Sequence, residues 1–355
     1  MFLLRKIVCL GCLLLFYTSC SPQDREVERG FYFWKSAQYS LLEEEKQQIN
    51  ALNVQKLYVK FFEIAPDPVF GVIPESKTSL HIWDVKIEDP NLSSPIFTEI
   101  VPTVFIKNEI FKEISNAELD TLAQNILFLT NRYYQRNYSK DIADYKELQL
   151  DCDWTAGTKD NYFYLLKALK QSSGKLISCT LRLYPYKYRK KTGIPPVDKV
   201  TLMCYNLISP LANKDMNSIL DVTELEKYLL QSRKYPVHVD IALPVYSWIH
   251  IYRNNQFVKL INGSKRIFRE GDLIKIKPLW YEIQRDVFLG NYLLRAGDQV
   301  KIEDISIQEL YQTIDLLKNK VKLDKHITVT LFHLDENNLI DYDIETLDSF
   351  YTRFY

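Results

Sequence analysis

From residue 31 onward, short apolar runs of strand length alternate with segments whose apolar positions recur at helical spacing. The strand-like runs are Phe31–Trp34, Lys56–Ile64, Ile100–Ile106, Leu148–Asp153, Leu176–Leu183, Val200–Tyr205, Val237–Leu243 and Ile327–Phe332. Helical spacing predicts helices over Leu41–Leu52, Ala117–Thr130, Asn161–Leu169 and Val222–Leu230. A Pro- and Ser-rich stretch, Pro66–Pro95, reads as a loop.

Repeated strand–helix units predict a parallel sheet, and eight strands fit a (β/α)8 TIM barrel of the α/β class. An open doubly wound sheet is the rival, but no Gly-rich phosphate loop follows the first strand. Strands one to seven fall in residues 31–249, and strand eight with a final helix in 323–355. Between them, residues 250–322 hold strand-like pieces at Ile251-Tyr252, Val258–Ile261 and Leu273–Ile276, a turn at Asn254-Asn255 and a helix at Ile307–Leu317. This interval reads as an inserted α+β lobe.

The N-terminus reads as a targeting segment. Arg5 and Lys6 precede the apolar run Ile7–Phe16, which is too short to span a bilayer. Tyr17-Thr18-Ser19-Cys20 resembles a bacterial lipoprotein box. That resemblance implies a signal peptide over residues 1–19, lipidation at Cys20 and a tether over 20–30. It also implies attachment to a membrane of the bacterial cell envelope, the outer membrane first among them. The whole chain resembles a set of lipoproteins from Bacteroidetes-type bacteria.

Composition adds little to the fold but narrows the partners. Lys+Arg and Asp+Glu stand at 45 each, so no global field points to nucleic acid. The basic run Lys187–Lys191 reads as a solvated loop, with anionic glycan or lipid headgroups as its functional reading. Cys152, Cys179 and Cys204 sit in apolar runs with no CxxC, and read as small buried hydrophobes. His238, His250 and His333 lack metal spacing, and no metal or cofactor is implied. The chain carries 24 Tyr, 18 Phe and 5 Trp, residues that pack cores and also serve as platforms for sugar rings.

Candidate chemistry concentrates at Leu150-Asp151-Cys152-Asp153-Trp154-Thr155. Strand alternation places Leu148, Leu150 and Cys152 on one face and Gln149, Asp151 and Asp153 on the other. The apolar set suits the helix layer, so the two acids point into the barrel at its C-terminal mouth. Like charges so close need protons, hydrogen bonds or a cation to settle them. Arg182 on strand five is a candidate for that cation and equally for binding an anionic substrate, and Asp240 on strand seven is a further charged group inside the barrel.

At this point the chain resembles family 18 glycoside hydrolases, from about residue 31 to 353. Their strand four ends Asp-x-Asp-x-Glu, here Asp151-Cys152-Asp153-Trp154-Thr155. Their strand six ends Met-x-Tyr-Asp or Asn, here Met203-Cys204-Tyr205-Asn206, and strand seven ends Pro-x-Tyr-Gly, here Pro244-Val245-Tyr246-Ser247 with Trp248 beyond. Many members insert an α+β lobe before strand eight. In that family the final Glu protonates the leaving oxygen and the middle acid orients the N-acetyl group that attacks, a substrate-assisted scheme. This chain has Thr155 in place of the Glu, and losing a general acid typically slows reaction by about 10²–10⁴-fold.

Three readings follow. The first is a glycan-binding barrel with little or no hydrolysis, the ligand containing N-acetylhexosamine. Asp153, Tyr205, Asn206 and Tyr246 would hydrogen-bond it, and Trp34 and Trp248 would stack on it. The second is a glycosidase retaining Asp151 and Asp153, with an acid relocated to Glu63 or Asp335. The third is an envelope scaffold whose lobe contacts proteins.

Overall fold

A computed structural model describes residues 25–35, 40–75, 77–78, 80, 86–87, 96–138, 144–212, 214–229 and 233–355. The signal segment and Cys20 lie outside the described residues, as does half of the stretch Pro66–Pro95.

Eight parallel strands form the core of the molecule: β1 Glu26–Phe33, β2 Lys56–Asp67, β3 Glu99–Ile106, β4 Glu147–Asp151, β5 Leu176–Arg182, β6 Lys199–Met203, β7 His238–Pro244 and β8 His326–Phe332. Each pairs with its sequence neighbours, and β1 pairs with both β2 and β8, which closes the sheet into a barrel. The helices are α1 Glu43–Ala51, α2 Asn116–Asn137, α3 Lys159–Ser173, α4 Val222–Leu229, α5 Ile307–Lys320 and α6 Ile344–Thr352. Ser115 and Ser306 start α2 and α5 with capping boxes, each hydroxyl accepting from the amide of a glutamate three residues on. The turn after β5 stays short, as two helical pieces over 183–187 and 189–192.

The structure revises several boundaries. The first strand begins at Glu26, so residues 26–30, read as tether, belong to a barrel strand. The expected Pro66–Pro95 loop contains a strand, Gly71–Glu75, running antiparallel to the end of β2. The helix expected inside the lobe, α5, packs in the barrel's outer layer, with Leu310, Ile314 and Leu317 in the barrel core.

The lobe itself is a five-stranded antiparallel sheet ordered 256–262, 248–253, 299–303, 280–283, 273–277. Its own small core is Ile249, Ile251, Ile283, Leu294, Val300 and Ile302. Asn254 and Asn255 both adopt positive φ, at 50° and 62°, which is the hairpin turn that Asn tolerates best. Lys301 and Glu303 are fully buried and 2.5 Å apart. Lys301 Nζ also donates to the Met216 carbonyl at 2.7 Å and Ser218 Oγ to Glu303 at 2.5 Å, binding the lobe to the segment that follows β6.

Inside the barrel, polar groups replace the usual branched apolar filling. Tyr32 donates to Gln149 Oε1 at 2.8 Å, and Gln149 Nε2 to Thr201 Oγ1 at 3.2 Å, spanning β1, β4 and β6 through the interior. At the N-terminal end, Lys199 Nζ lies 2.8 Å from Glu147 and 3.0 Å from Asp240. Lys56 lies 3.0 Å from Glu28, and His238 bridges Asp240 at 3.0 Å and Asp324 at 2.9 Å. Asp240 therefore belongs to the floor of the barrel and not to its mouth. Burial opposes its ionisation, yet Lys199, His238 and the Thr328 amide outweigh burial and bring its carboxyl down to about 2.

Replacing Lys199 by Met leaves Glu147 and Asp240 buried without their shared cation. We expect a loss of about 3–5 kcal/mol in urea unfolding at neutral pH, and an unchanged midpoint would refute the assignment. The Asp240 contribution is full above the unfolded carboxylate range near pH 4 and disappears as pH falls through about 2. His238 has a raised pKa, chiefly from its hydrogen bond to Asp240. Its contribution is therefore full below about pH 6.5 and is lost as pH rises through the raised value.

Candidate functional site

The C-terminal ends of the strands gather most of the residues singled out in the sequence. Asp151 ends β4 and points inward beside Thr180 of β5, whose hydroxyl donates to Asp151 Oδ1 at 2.6 Å. Burial, and secondarily the charge of Asp153, push the Asp151 carboxyl up to about 7. Asp153 lies past the strand end with its side chain 49% exposed, and its Oδ2 accepts from Arg182 Nη1 at 2.7 Å. Arg182 is thus the cation that settles the pair. Its Nη2 donates to the Asn206 carbonyl at 2.7 Å, an oxygen aimed by the left-handed backbone of Asn206 at φ 54°. Tyr246 fixes the Asn206 side chain by donating to Oδ1 at 2.7 Å.

Below these groups lies an aromatic floor. The ring of Phe332, the last residue of β8, sits 5.1 Å from Tyr205, 5.5 Å from Tyr32, 5.6 Å from Tyr246 and 5.9 Å from Trp34. Trp248 continues the floor 5.4 Å from Tyr246. Tyr205 and Tyr246 are buried, so they support the floor, and the Tyr246 hydroxyl is already committed to Asn206. Trp34 and Trp248 are half-buried and keep surface for a ligand.

The two relocated acids stand differently from the acid pair. Glu63 is 2.6 Å from Lys60, which also lies over the Trp34 ring at 5.7 Å. Asp335 is 3.2 Å from Lys35. Each of these two carboxylates is thus engaged by a lysine in an ion pair. Thr155 is exposed and lies in the turn that leads into α3: its carbonyl accepts from the amides of Thr158 and Lys159 at 3.2 and 3.0 Å. Its own amide donates to Thr158 Oγ1 at 2.9 Å, and Thr158 Oγ1 donates to Asn108 Oδ1 at 2.6 Å. The position that would carry the acid instead holds a helix start together.

Four residues escaped the sequence reading. Phe332 was legible as the end of strand eight, and Lys60 as the single cation inside an apolar strand run. Glu109 follows Asn108 in the helical turn after β3, and its position came only from the fold. Asp304, after the last lobe strand, is pushed up to about 6 by burial and by the charge of Asp341. Nothing in the local sequence marks it. Among the described residues no group of three or more His, Cys, Asp or Glu is placed to hold a metal ion.

Carboxyl-detected NMR of Asp151 should show titration near neutrality. Asp153→Asn removes the neighbouring negative charge and should lower that value, whereas Arg182→Gln removes a cation and should raise it. A shift of either in the opposite sense would contradict the arrangement.

No family model matches the chain, and no curated protein matches it in sequence. Solved structures do match in fold. The spore cortex-lytic enzyme SleL of Bacillus megaterium aligns at TM-score 0.51 and 15% identity, over 92% of this chain and 75% of that one. SleL of Bacillus cereus gives 0.51 and 14% over 94% and 75%. A Group IV chitinase of Ostrinia furnacalis gives 0.50 and 10% over 93% and 100%. The chain therefore folds as a chitinase-like (β/α)8 barrel.

Proposed function

We propose that this protein is a carbohydrate-binding barrel of glycoside hydrolase type, which holds a glycan containing N-acetylhexosamine at its mouth and hydrolyses it little or not at all. The observation that carries this reading is the pairing of a retained binding surface with a missing donor. Trp34, Trp248, Asp153, Arg182 and Asn206, all partly exposed, gather at the C-terminal ends of the strands, while Thr155 stands where the resembled motif has its Glu. The likeness to SleL and chitinase folds supports the substrate class. We further propose that Cys20 anchors the protein by lipid in the bacterial cell envelope, with the outer membrane as its site.

Asp151 favours a second reading, an active glycosidase. A carboxyl pushed up to about 7 by burial carries a proton for part of the population at neutrality, which supports Asp151 as a proton carrier in place of the Glu. Calorimetric titration with N-acetylglucosamine oligomers, together with a reducing-end assay, separates the two. Saturable binding without turnover, weakened about tenfold by Trp248→Ala, supports the binding barrel; one aromatic contact of ~1.4 kcal/mol corresponds to that factor. Reducing-end release abolished by Asp153→Asn establishes the glycosidase. Silence in both assays across a broad glycan panel removes both and leaves the scaffold. Mass spectrometry of the mature N-terminus tests the lipid at Cys20.

A further inference from the structure

Little chain separates Cys20 from the barrel. β1 begins at Glu26, so residues 21–24 alone lie between Cys20 and Arg25, the first described residue. An extended chain covers at most about 3.6 Å per residue, which keeps the Arg25 backbone within about 18 Å of Cys20. The point of exit is itself fixed. Arg25 Nη1 donates to the Phe354 carbonyl at 3.3 Å, and the Glu26 amide to the Lys325 carbonyl at 2.9 Å. The Glu26 carboxylate lies 3.3 Å from Lys325 and 2.8 Å from His326.

That exit belongs to the floor of the barrel. The strands run parallel, Glu26 pairs with His326 at the start of β8, and β2 starts only at the level of Gly30, which pairs with Lys56. Trp34 follows the other end of β1, beside Phe332. Barrel strands rise about 3.3 Å per residue and tilt by about 36°, so β1 carries the chain about 20 Å along the axis, from floor to mouth. The floor surface is charged. Lys146, Lys234, Lys322 and Lys325 stand exposed where β4, β7 and β8 begin, with Glu26 and Asp144 exposed among them. Such ammonium groups suit lipid phosphates, and the carboxylates suit lipid amines. The bulky apolar side chains most open to solvent lie elsewhere: Val69 and Phe70 on the hairpin at the end of β2, and Phe288 in the lobe. The floor is therefore built to rest on headgroups and not to enter hydrocarbon.

We infer that the lipid-anchored protein stands on the N-terminal end of its barrel, with the floor against the headgroups of the anchoring leaflet and the mouth directed away from them. Standing so, the mouth opens about 20 Å or more above the headgroups, the length of the barrel axis. It takes a glycan that arrives from the aqueous side. It misses the sugar of a glycolipid in the same leaflet, because that sugar lies level with the floor. The inference rests on the two readings above, lipid at Cys20 and glycan at the mouth, and its test is separable from both.

The test places the full-length lipidated protein in vesicles of phosphatidylethanolamine and phosphatidylglycerol, doped with a lipid whose headgroup nitroxide quenches fluorophores at contact range. Single substitutions carry the fluorophore: Lys146→Cys or Lys322→Cys at the floor, Phe70→Cys or Ile340→Cys beyond the mouth ends of β2 and β8. All four positions are exposed, so the variants are expected to fold, and circular dichroism verifies it. Cys152, Cys179 and Cys204 are buried and stay unlabelled. Quenching should be severalfold stronger at the floor than at the mouth, and a long Gly-Ser linker inserted after Gln23 should erase the difference. Equal quenching at all four positions, or stronger quenching at Phe70 or Ile340, would overturn the orientation. In a second arm, an N-acetylglucosamine oligomer is offered either free or coupled to a lipid headgroup in the same vesicles. The free oligomer should bind the anchored protein and its soluble Cys20→Ser form alike, and the lipid-borne oligomer should not compete with it. Equal competition by the two overturns the inference. If mass spectrometry finds no lipid on Cys20, the anchoring reading falls and takes the orientation with it. If no oligomer binds in either form, the carbohydrate reading falls, while the quenching pattern still decides which end meets the membrane.

Discussion

Everything in this molecule depends on β1 hydrogen-bonding to two neighbours at once. By pairing with β8 along Glu26–Phe31 and with β2 along Gly30–Phe33, β1 converts an open parallel sheet into a closed one without edges. Closure then dictates which side chains have water. Those facing outward meet the helix layer, and those facing inward must satisfy one another. Gly30 belongs to this constraint: a β-carbon there would lie 2.9 Å from Thr330 Oγ1 across the barrel wall. The Tyr32–Gln149–Thr201 chain and the Lys199 cluster are further consequences, because a buried polar group without a partner is costly in a closed interior.

The same enclosure produces the properties of the mouth. Asp151 is the last inward acid that the barrel wall covers, and Asp153 the first beyond it. Their difference in exposure separates two chemically identical groups: one is driven up to about 7, and the other is solvated and paired with Arg182. Such separation is how a fold makes one carboxyl a proton carrier and its neighbour a charge. Beyond this pair, the strand-four motif ends in Thr155, which carries no carboxyl. An aromatic floor of this kind would bind ground state and transition state alike, so on the proposed reading it survives the loss of a donor that acts only during bond cleavage.

The sequence disclosed the barrel and the acid pair because both rest on local periodicity. Strand alternation placed Asp151 and Asp153 on the inward face and Leu148, Leu150 and Cys152 on the other; the strand itself ends at Asp151, which meets Thr180 of the neighbouring strand, and Asp153 lies beyond it. Strand boundaries were less legible. Glu26–Gly30 holds three charged residues, with Glu28 paired to Lys56 at the barrel floor and Arg29 to Asp348 of α6, and this hid the start of β1. The roles of Glu63 and Asp335 depended on Lys60 and Lys35, partners that only the fold brings near. Asp304 was invisible for the same reason, since its shift arises from Asp341 and burial. Arg182 lay between these cases: its strand was readable, but its bond to the Asn206 carbonyl required a left-handed residue that no periodic pattern announces.

The buried Lys301–Glu303 pair has a consequence for how this protein could have diversified. An inserted lobe joined by a flexible neck could be exchanged between relatives as a cassette. Here the junction is a dry ionic contact shared with Met216 and Ser218, on a different loop. Excising the insertion would strand a polar surface on the barrel that has no other partner. Lobe and barrel are therefore expected to unfold cooperatively and to drift in sequence together.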